Sequence, residues 1–133
     1  MIFVGSTDLL AERRTSRFID PLLRWLFKGI SDEAVNQAVY YIRKCGHVTE
    51  YGLLAILVLA ALGRTFRPLP PTWSWKTAGW ALLICAGYAA ADEFHQSFVP
   101  SRYSSPLDVV IDTCGAAAML ALIWAWGRLR RRW

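Results

Sequence analysis

The chain has 133 residues, of which 55% are hydrophobic, and its mean hydropathy of +0.29 and seven tryptophans exceed what an ordinary soluble domain of this size carries. The formal charge of +5 could indicate nucleic-acid binding, but the basic residues are divided between the two tails and the 64–76 loop, with no basic helix face or zinc-finger spacing. We therefore predict a single domain over residues 1–133 that has no nucleic-acid partner and contacts membrane lipids, with anionic headgroups beside the tail arginines.

Residues 1–45 are predicted to form amphipathic surface helices that precede the membrane helices. In the first of them, Asp20 is the expected N-cap, Pro21 the first helical residue and Gly29 the stop signal. Ser31 is the expected N-cap of the second, which has acidic residues in its first turn and an apolar stripe along one face. Both helices fit either the membrane surface or the other helices.

Three uncharged runs follow, each shorter than the roughly 20 apolar residues that cross a bilayer core. Tryptophans at the ends of the runs are typical of an interfacial aromatic belt, and Gly79, Gly87 and many alanines are expected to let helix backbones approach closely. We therefore predict an all-α polytopic membrane helical bundle rather than a soluble one. The three expected membrane helices cover residues 46–64, 76–95 and 106–127.

Acidic residues lie at one level of these three helices. With a rise of about 1.5 Å per residue, Glu50 is about 21 Å from the basic end of its helix, and Asp92 and Asp112 are each about 24 Å from theirs. That level is near the headgroup boundary, where ionised groups are tolerated if they face each other or water. Polar residues three or four apart also share a face on each helix. These sets are Lys44, His47 and Tyr51; Asp92, His95 and Gln96; and Asp108 with Asp112.

The spacing predicts that these polar groups form one site. A histidine beside carboxylates is poised near neutral pH and suits general acid or base catalysis. The alternative is a set of structural ion pairs that hold the helices together. No metal site is predicted, because HExxH and comparable spacings are missing from the sequence, and the sequence identifies no cofactor. A metal requirement stays open, because suitable nitrogen and oxygen ligands are present at His47, His95, Glu50, Asp92 and Glu93.

Two segments, RKCGHVTEYGLL (43–54) and DEFHQSFVPSRYSSPLDVVIDTCGA (92–116), resemble the VanZ-like family over about residues 32–127. The members are multi-pass bacterial membrane proteins, and the founding member is linked to resistance to the glycopeptide teicoplanin. The resemblance implies a multi-pass protein of the bacterial plasma membrane with its polar site outside, which the count of Lys and Arg alone does not decide. The family positions matched in this chain are Arg43, Lys44, His47, Glu50, Tyr51, Asp92, Glu93, His95, Gln96, Pro100, Arg102, Asp108 and Asp112.

The chain departs from the family pattern at two places. Family members usually have a further membrane helix before the surface segment, and here only MIFVG (1–5) resembles its end. We therefore expect a fourth, first membrane helix to be missing from this chain. Asp112 stands where the family tends to have asparagine, which adds a carboxylate to the site.

Two functions fit this site, and the sequence leaves open whether the protein is an enzyme. In the first, the protein acts on a cell-envelope component, with His95 and Glu93 as acid and base and Asp92 orienting His95. Arg102 and Lys44 would hold an anionic group of a lipid-linked cell-wall precursor. In the second, the same residues bind a glycopeptide, a precursor or a partner without turnover, as in an accessory protein.

The remaining site residues are assigned by type. His47 and Glu50 complete the catalytic candidates, since they supply a second imidazole and a further carboxylate. The other ligand-binding candidates, beside Arg102 and Lys44, are Arg43, Tyr51, Gln96, Asp108 and Asp112.

Overall fold

The computed structural model describes the backbone of residues 12–66, 73–98 and 105–130, and the side chains of 19–64, 73–98 and 105–130. The described part is an all-helical bundle without strands, which confirms the predicted fold class. The segment 1–5, expected to be the end of a preceding helix, lies outside the described residues. The four helices are α1 (Glu12–Leu26), α2 (Asp32–Phe66), α3 (Trp75–Gln96) and α4 (Pro106–Leu129).

The start of α1 differs from the prediction. The helix begins at Glu12, so Asp20 is not its N-cap and Pro21 lies inside it. Asp20 instead pairs with Arg24, one turn further along the same helix. A proline removes only one helical hydrogen bond, so the helix continues through Pro21 with some loss of stability. Gly29 has a φ of 91°, which fits its predicted role in ending this segment.

Helix α2 combines the second predicted surface helix and the first predicted membrane helix without a break at Gly46. Ser31 caps it as predicted, since the Ala34 N–H donates to the Ser31 hydroxyl at 3.3 Å. Its 35 residues correspond to about 52 Å, well beyond a bilayer core of about 30 Å. The N-terminal turns therefore extend past the core. Helix α1 packs against α2, and Arg24 pairs with Asp32 at the start of that helix.

Two of the described helices are long and apolar enough to span a membrane, namely α2 from Asp32 to Arg64 and the whole of α4. Only 17% and 22% of their apolar windows are buried in the bundle, so most of these side chains face outward. A core helix of a soluble protein would bury most of them. Helix α3 does not meet the same criterion, because Lys76 and the polar residues from Asp92 onward lower its hydropathy. The third membrane helix remains a prediction.

Helices α2 and α4 approach each other closely at two glycines, one on each helix. A Cβ atom added at Gly115 would lie 2.8 Å from the Val48 carbonyl oxygen and 2.9 Å from the Val48 Cα. A Cβ at Gly52 would meet the Met119 Cε at 3.3 Å. Gly115 contacts Val48, and four residues further along each helix Met119 contacts Gly52. Helices α2 and α4 are therefore parallel. Small interfacial residues of this kind allow van der Waals packing between helices in lipid.

The predicted roles of Gly79 and Gly87 are wrong. A Cβ at either position would meet nothing within 4 Å, and both residues are exposed on the surface of α3. The face of α3 that packs inward carries alanines, which belong to the same prediction, and a cysteine. The buried core comprises Ala55, Ala81, Cys85, Ala116 and Leu120.

We expect Gly115→Ala to destabilise the bundle. The new methyl group would overlap the backbone of Val48, so α2 and α4 must separate, at a cost of about 1–3 kcal/mol. Gly87→Ala is the matched control, because its methyl group meets open space and alanine favours a helix. Thermal unfolding in detergent should show a lower midpoint for the first variant only. Equal midpoints for Gly115→Ala and the parent chain would contradict the close contact.

Candidate functional site

A group of polar side chains occupies the end of the bundle where α3 stops and α4 starts. We call this group the polar cluster. It draws on the middle of α2, the last turns of α3 and the first turns of α4. Its members are Lys44, His47, Tyr51, Asp92, Glu93, Gln96, Asp108 and Asp112.

The start of α4 is fixed by local sequence and by a side chain from α3. Ser105 is the N-cap, and its hydroxyl accepts from the Leu107 N–H while Pro106 takes the first helical position. The Ser105 N–H donates to Glu93 Oε2 at 2.9 Å. A buried carboxylate on α3 thus joins the end of that helix to the beginning of α4.

Two pairs connect α2 to α4, one helical turn apart. Lys44 donates to Asp108, and each of these side chains is about one-fifth exposed. The His47 Nδ1 lies 3.4 Å from the Asp112 Oδ1, whose side chain is only 2% exposed. Because α2 and α4 are parallel, residues one turn further along α2 pair with residues one turn further along α4. The two pairs therefore run from the partly exposed rim of the cluster into its interior.

Helix α3 contributes a buried polar row. Asp92, Glu93 and Gln96 are all buried. The Gln96 Nε2 donates to the Asp92 Oδ2 at 2.8 Å, across one turn of the helix. This hydrogen bond orients the Asp92 carboxylate, and Glu93 is held at the same time by the N-cap of α4.

Tyr51 lies where the three helices meet. Its side chain is completely buried, and its ring centroid is 6.5 Å from that of Tyr88 on α3. The carboxylates of Asp112, Asp92 and Glu93 all interact electrostatically with it. One phenol therefore lies within range of acidic groups from both α3 and α4.

Three polar atoms inside the cluster lack a hydrogen-bond partner among the described residues. They are the Tyr51 hydroxyl, the Asp112 Oδ1 and the His47 Nδ1, the last two being close but not in hydrogen-bonding geometry. Leaving a buried polar atom unsatisfied costs about 1–3 kcal/mol. Buried groups of this kind are uncommon in folded proteins, and they mark strain, a catalytic role, or a place where water or an ion completes the hydrogen bonds.

The other predicted site residues differ in exposure. Glu50 is exposed on α2 and interacts electrostatically with His47, whereas Arg43 and His95 are half-buried and each has a non-covalent partner. Arg102 and Pro100 lie outside the described residues. Within the described ranges, no group of three or more His, Cys, Asp and Glu side chains is arranged to hold a metal ion.

Two residues beside the cluster were not among the predicted site residues. Tyr88 lies four residues before Asp92, so the helical period places both on one face of α3. Ser105 directly precedes Pro106, which is a recognisable helix-start signal. Both signals are present in the sequence.

Outward-facing apolar helices with a polar cluster at one end of the bundle are typical of a helical membrane protein. The family model described as VanZ/LLP1 matches residues 1–127. The chain therefore belongs to the VanZ-like family, which confirms the resemblance seen in the two motifs. No curated protein and no solved structure matches the chain significantly.

We expect Lys44 and Asp108 to be energetically coupled. Lys44→Met and Asp108→Asn each remove one partner of a largely buried ion pair, so the double variant should lose less stability than the sum of the single variants. The coupling should be about 1 kcal/mol or more. The measurement is a double-mutant cycle of unfolding free energies in mixed micelles.

The control cycle for this pair combines Lys44→Met with Glu50→Gln. Glu50 is exposed and lies nearly two helical turns further along α2, so this coupling should stay within about 0.3 kcal/mol. Additivity of Lys44→Met with Asp108→Asn as well would show that the α2–α4 pair contributes nothing specific.

Proposed function

We propose that this chain is a multi-pass protein of the bacterial plasma membrane whose polar cluster binds or acts on a cell-envelope component and lowers susceptibility to teicoplanin. The family membership supports the cellular setting, because VanZ-like proteins are membrane proteins. The resemblance described above supports an outward-facing cluster. The polar cluster supports a bound ligand, because its unsatisfied buried atoms cost free energy that a ligand could offset.

The observation that carries the proposal is the set of unsatisfied atoms around Tyr51 and Asp112. A purely structural cluster would gain stability if a leucine or phenylalanine replaced such groups, since buried ion pairs are often no better than apolar packing. Here the completely buried Tyr51 hydroxyl has no hydrogen-bond partner in the described part of the chain, and the buried Asp112 Oδ1 has only the His47 Nδ1 contact at 3.4 Å. A ligand that supplies the missing hydrogen bonds would offset their cost.

The donors and acceptors of the cluster suit a neutral, hydroxyl- or amide-bearing group. A phenol both donates and accepts, a carboxylate accepts, and an imidazole nitrogen does either. Sugar hydroxyls and peptide amides offer the complementary groups, and a lipid-linked cell-wall precursor carries both. The anion-binding role predicted for Lys44 is opposed by its pairing with Asp108. An anionic group of the ligand would therefore rely on Arg102, the other residue predicted for this role.

A non-catalytic binding or accessory protein is the second candidate function, and the contacts of Glu93 favour it. Its carboxylate accepts the Ser105 N–H and so positions the start of α4. A general base must also be free to take a proton from the substrate. A glutamate that is occupied in holding a helix N-terminus suits recognition better than proton transfer.

We expect Tyr51→Phe to separate ligand binding from stability. The change removes only a hydroxyl that lacks a partner among the described residues, so stability should be unchanged or raised by up to about 1 kcal/mol. If the hydroxyl binds the ligand, the teicoplanin concentration tolerated by a susceptible bacterium expressing the variant should fall about fivefold, equivalent to one hydrogen bond of about 1 kcal/mol.

The control for this experiment is Tyr40→Phe, which removes a hydroxyl from an exposed tyrosine on α2. It should leave both the thermal midpoint and the tolerance unchanged. Full tolerance in Tyr51→Phe at equal expression would falsify the proposed role of the cluster. A large loss of stability would instead assign the hydroxyl a structural partner.

We expect Glu93→Gln to distinguish binding from catalysis. The glutamine carbonyl oxygen can still accept the Ser105 N–H, so the helix start is preserved, but the side chain no longer relays a proton. Tolerance that persists in Glu93→Gln supports the binding function. A loss of about 100-fold in turnover of an identified substrate, with stability intact, would support the enzyme.

A further inference from the structure

The end of the bundle opposite the polar cluster has one sign of charge. It consists of the last turn of α2, the first turn of α3 and the last turn of α4. Every charged side chain described there is cationic and exposed. We call these four residues the basic end: Arg64, Lys76, Arg128 and Arg130.

No carboxylate in the described part of the chain neutralises the basic end. None of its four side chains takes part in an ion pair with a described residue, whereas Arg24 and Lys44 near the other end are both paired. Asp112, on the same helix as Arg128, is 16 residues away, which is about 24 Å along the axis. At that separation the charges are screened from each other. Counter-charges for the basic end must therefore come from outside the described bundle.

Aromatic rings surround these cations and form contacts across two helices. Trp75 packs edge-on against Trp73 with centroids 5.5 Å apart, and against Trp124 of α4 at 5.6 Å. Trp75 is nevertheless 68% exposed. Tryptophans that are packed on one side and open on the other are typical of the headgroup level of a membrane.

Arg130 is held at this same level. Its guanidinium carbon lies 4.5 Å from the ring centroid of Trp126, which is a cation–π contact. The Arg130 side chain is exposed and takes part in no ion pair with a described residue. Guanidinium N–H groups match two oxygens of a phosphate, in the bidentate geometry that arginine forms with phosphate.

We infer that the basic end is a binding surface for the phosphodiester headgroups of anionic phospholipids. Arg128 and Arg130 on α4, Lys76 on α3 and Arg64 on α2 present the positive charge, and the tryptophans set the depth of the headgroup. Exposed apolar side chains such as Leu122 continue from this end along the outside of the bundle, where acyl chains would lie. The lipid thus contacts the three helices that also contribute residues to the polar cluster, and the surface does not depend on the proposed function of that cluster.

The test uses the full chain in nanodiscs of phosphatidylcholine with increasing fractions of phosphatidylglycerol. The thermal midpoint of the parent chain should rise with the phosphatidylglycerol fraction, because a ligand that binds the folded state stabilises it. Arg128→Gln and Arg130→Gln should each raise the fraction needed for half of this effect by about fivefold, the weight of one basic residue at an anionic surface. Inorganic phosphate added to phosphatidylcholine nanodiscs should have no such effect.

Lys28→Gln is the matched control, because it removes one exposed positive charge near the other end of the molecule. It should leave the phosphatidylglycerol dependence unchanged. Three results would overturn the inference: no stabilisation of the parent chain, an equal shift in Lys28→Gln and Arg128→Gln, or equal stabilisation by inorganic phosphate. Teicoplanin tolerance is not measured in this experiment, so its outcome is distinguishable from that of the proposed function.

Discussion

The contact of Gly115 with the backbone of Val48 is the constraint from which the site geometry follows. Because no side chain separates the two helices there, α2 and α4 approach more closely than a residue with a Cβ would allow. His47 is adjacent to Val48, and Asp112 lies one turn before Gly115. The same contact therefore brings an imidazole against a carboxylate at 3.4 Å. The parallel direction of the helices then pairs Lys44 with Asp108 one turn nearer the end.

Helix α3 runs antiparallel to α4 and is attached to it at both ends by different chemistry. At the polar end the Glu93 carboxylate receives the N–H of the α4 N-cap. At the other end Trp75 packs on Trp124. A hydrogen bond suits the first position because helix N-termini have unpaired N–H groups and a partial positive charge. Apolar ring contacts suit the second, where the described charges are all positive and an acid is not needed for packing.

The level of the polar residues could be predicted from the sequence, but the rotation of each helix could not be fully predicted. The rise per residue places acids of three helices at one depth, and the structure brings Asp92 and Asp112 within range of Tyr51. Glu50 precedes Tyr51 by one residue, which is a rotation of about 100°. Tyr51 faces inward, so Glu50 faces out. To predict which of Glu50 and Tyr51 faces the site, one must know which face of α2 packs against α4.

The same limit explains the glycines. A glycine in a membrane helix indicates close packing only if its face meets another helix, and the sequence does not say which face that is. Gly79 and Gly87 face outward, whereas Gly115 lies against Val48. Helix ends were more predictable where a local signal acts alone, as at Ser31 and Gly29. The start of α1 was not, because the Asp20 side chain pairs with Arg24 and the turns before Pro21 remain helical.

The exposed fraction of the cluster's side chains falls from the rim to the interior. Lys44 and Asp108 are about one-fifth exposed at the rim, whereas Asp112 and Tyr51 are almost or completely buried. From Lys44 to Tyr51 is seven residues, or about 10 Å along the helix axis. The unsatisfied atoms thus lie deeper in the cluster than the Lys44–Asp108 pair. For the ligand that we propose, a lipid-linked precursor, the polar group would meet the cluster while the lipid chain stays against the apolar helix faces, whereas a freely soluble ligand would gain nothing from those faces.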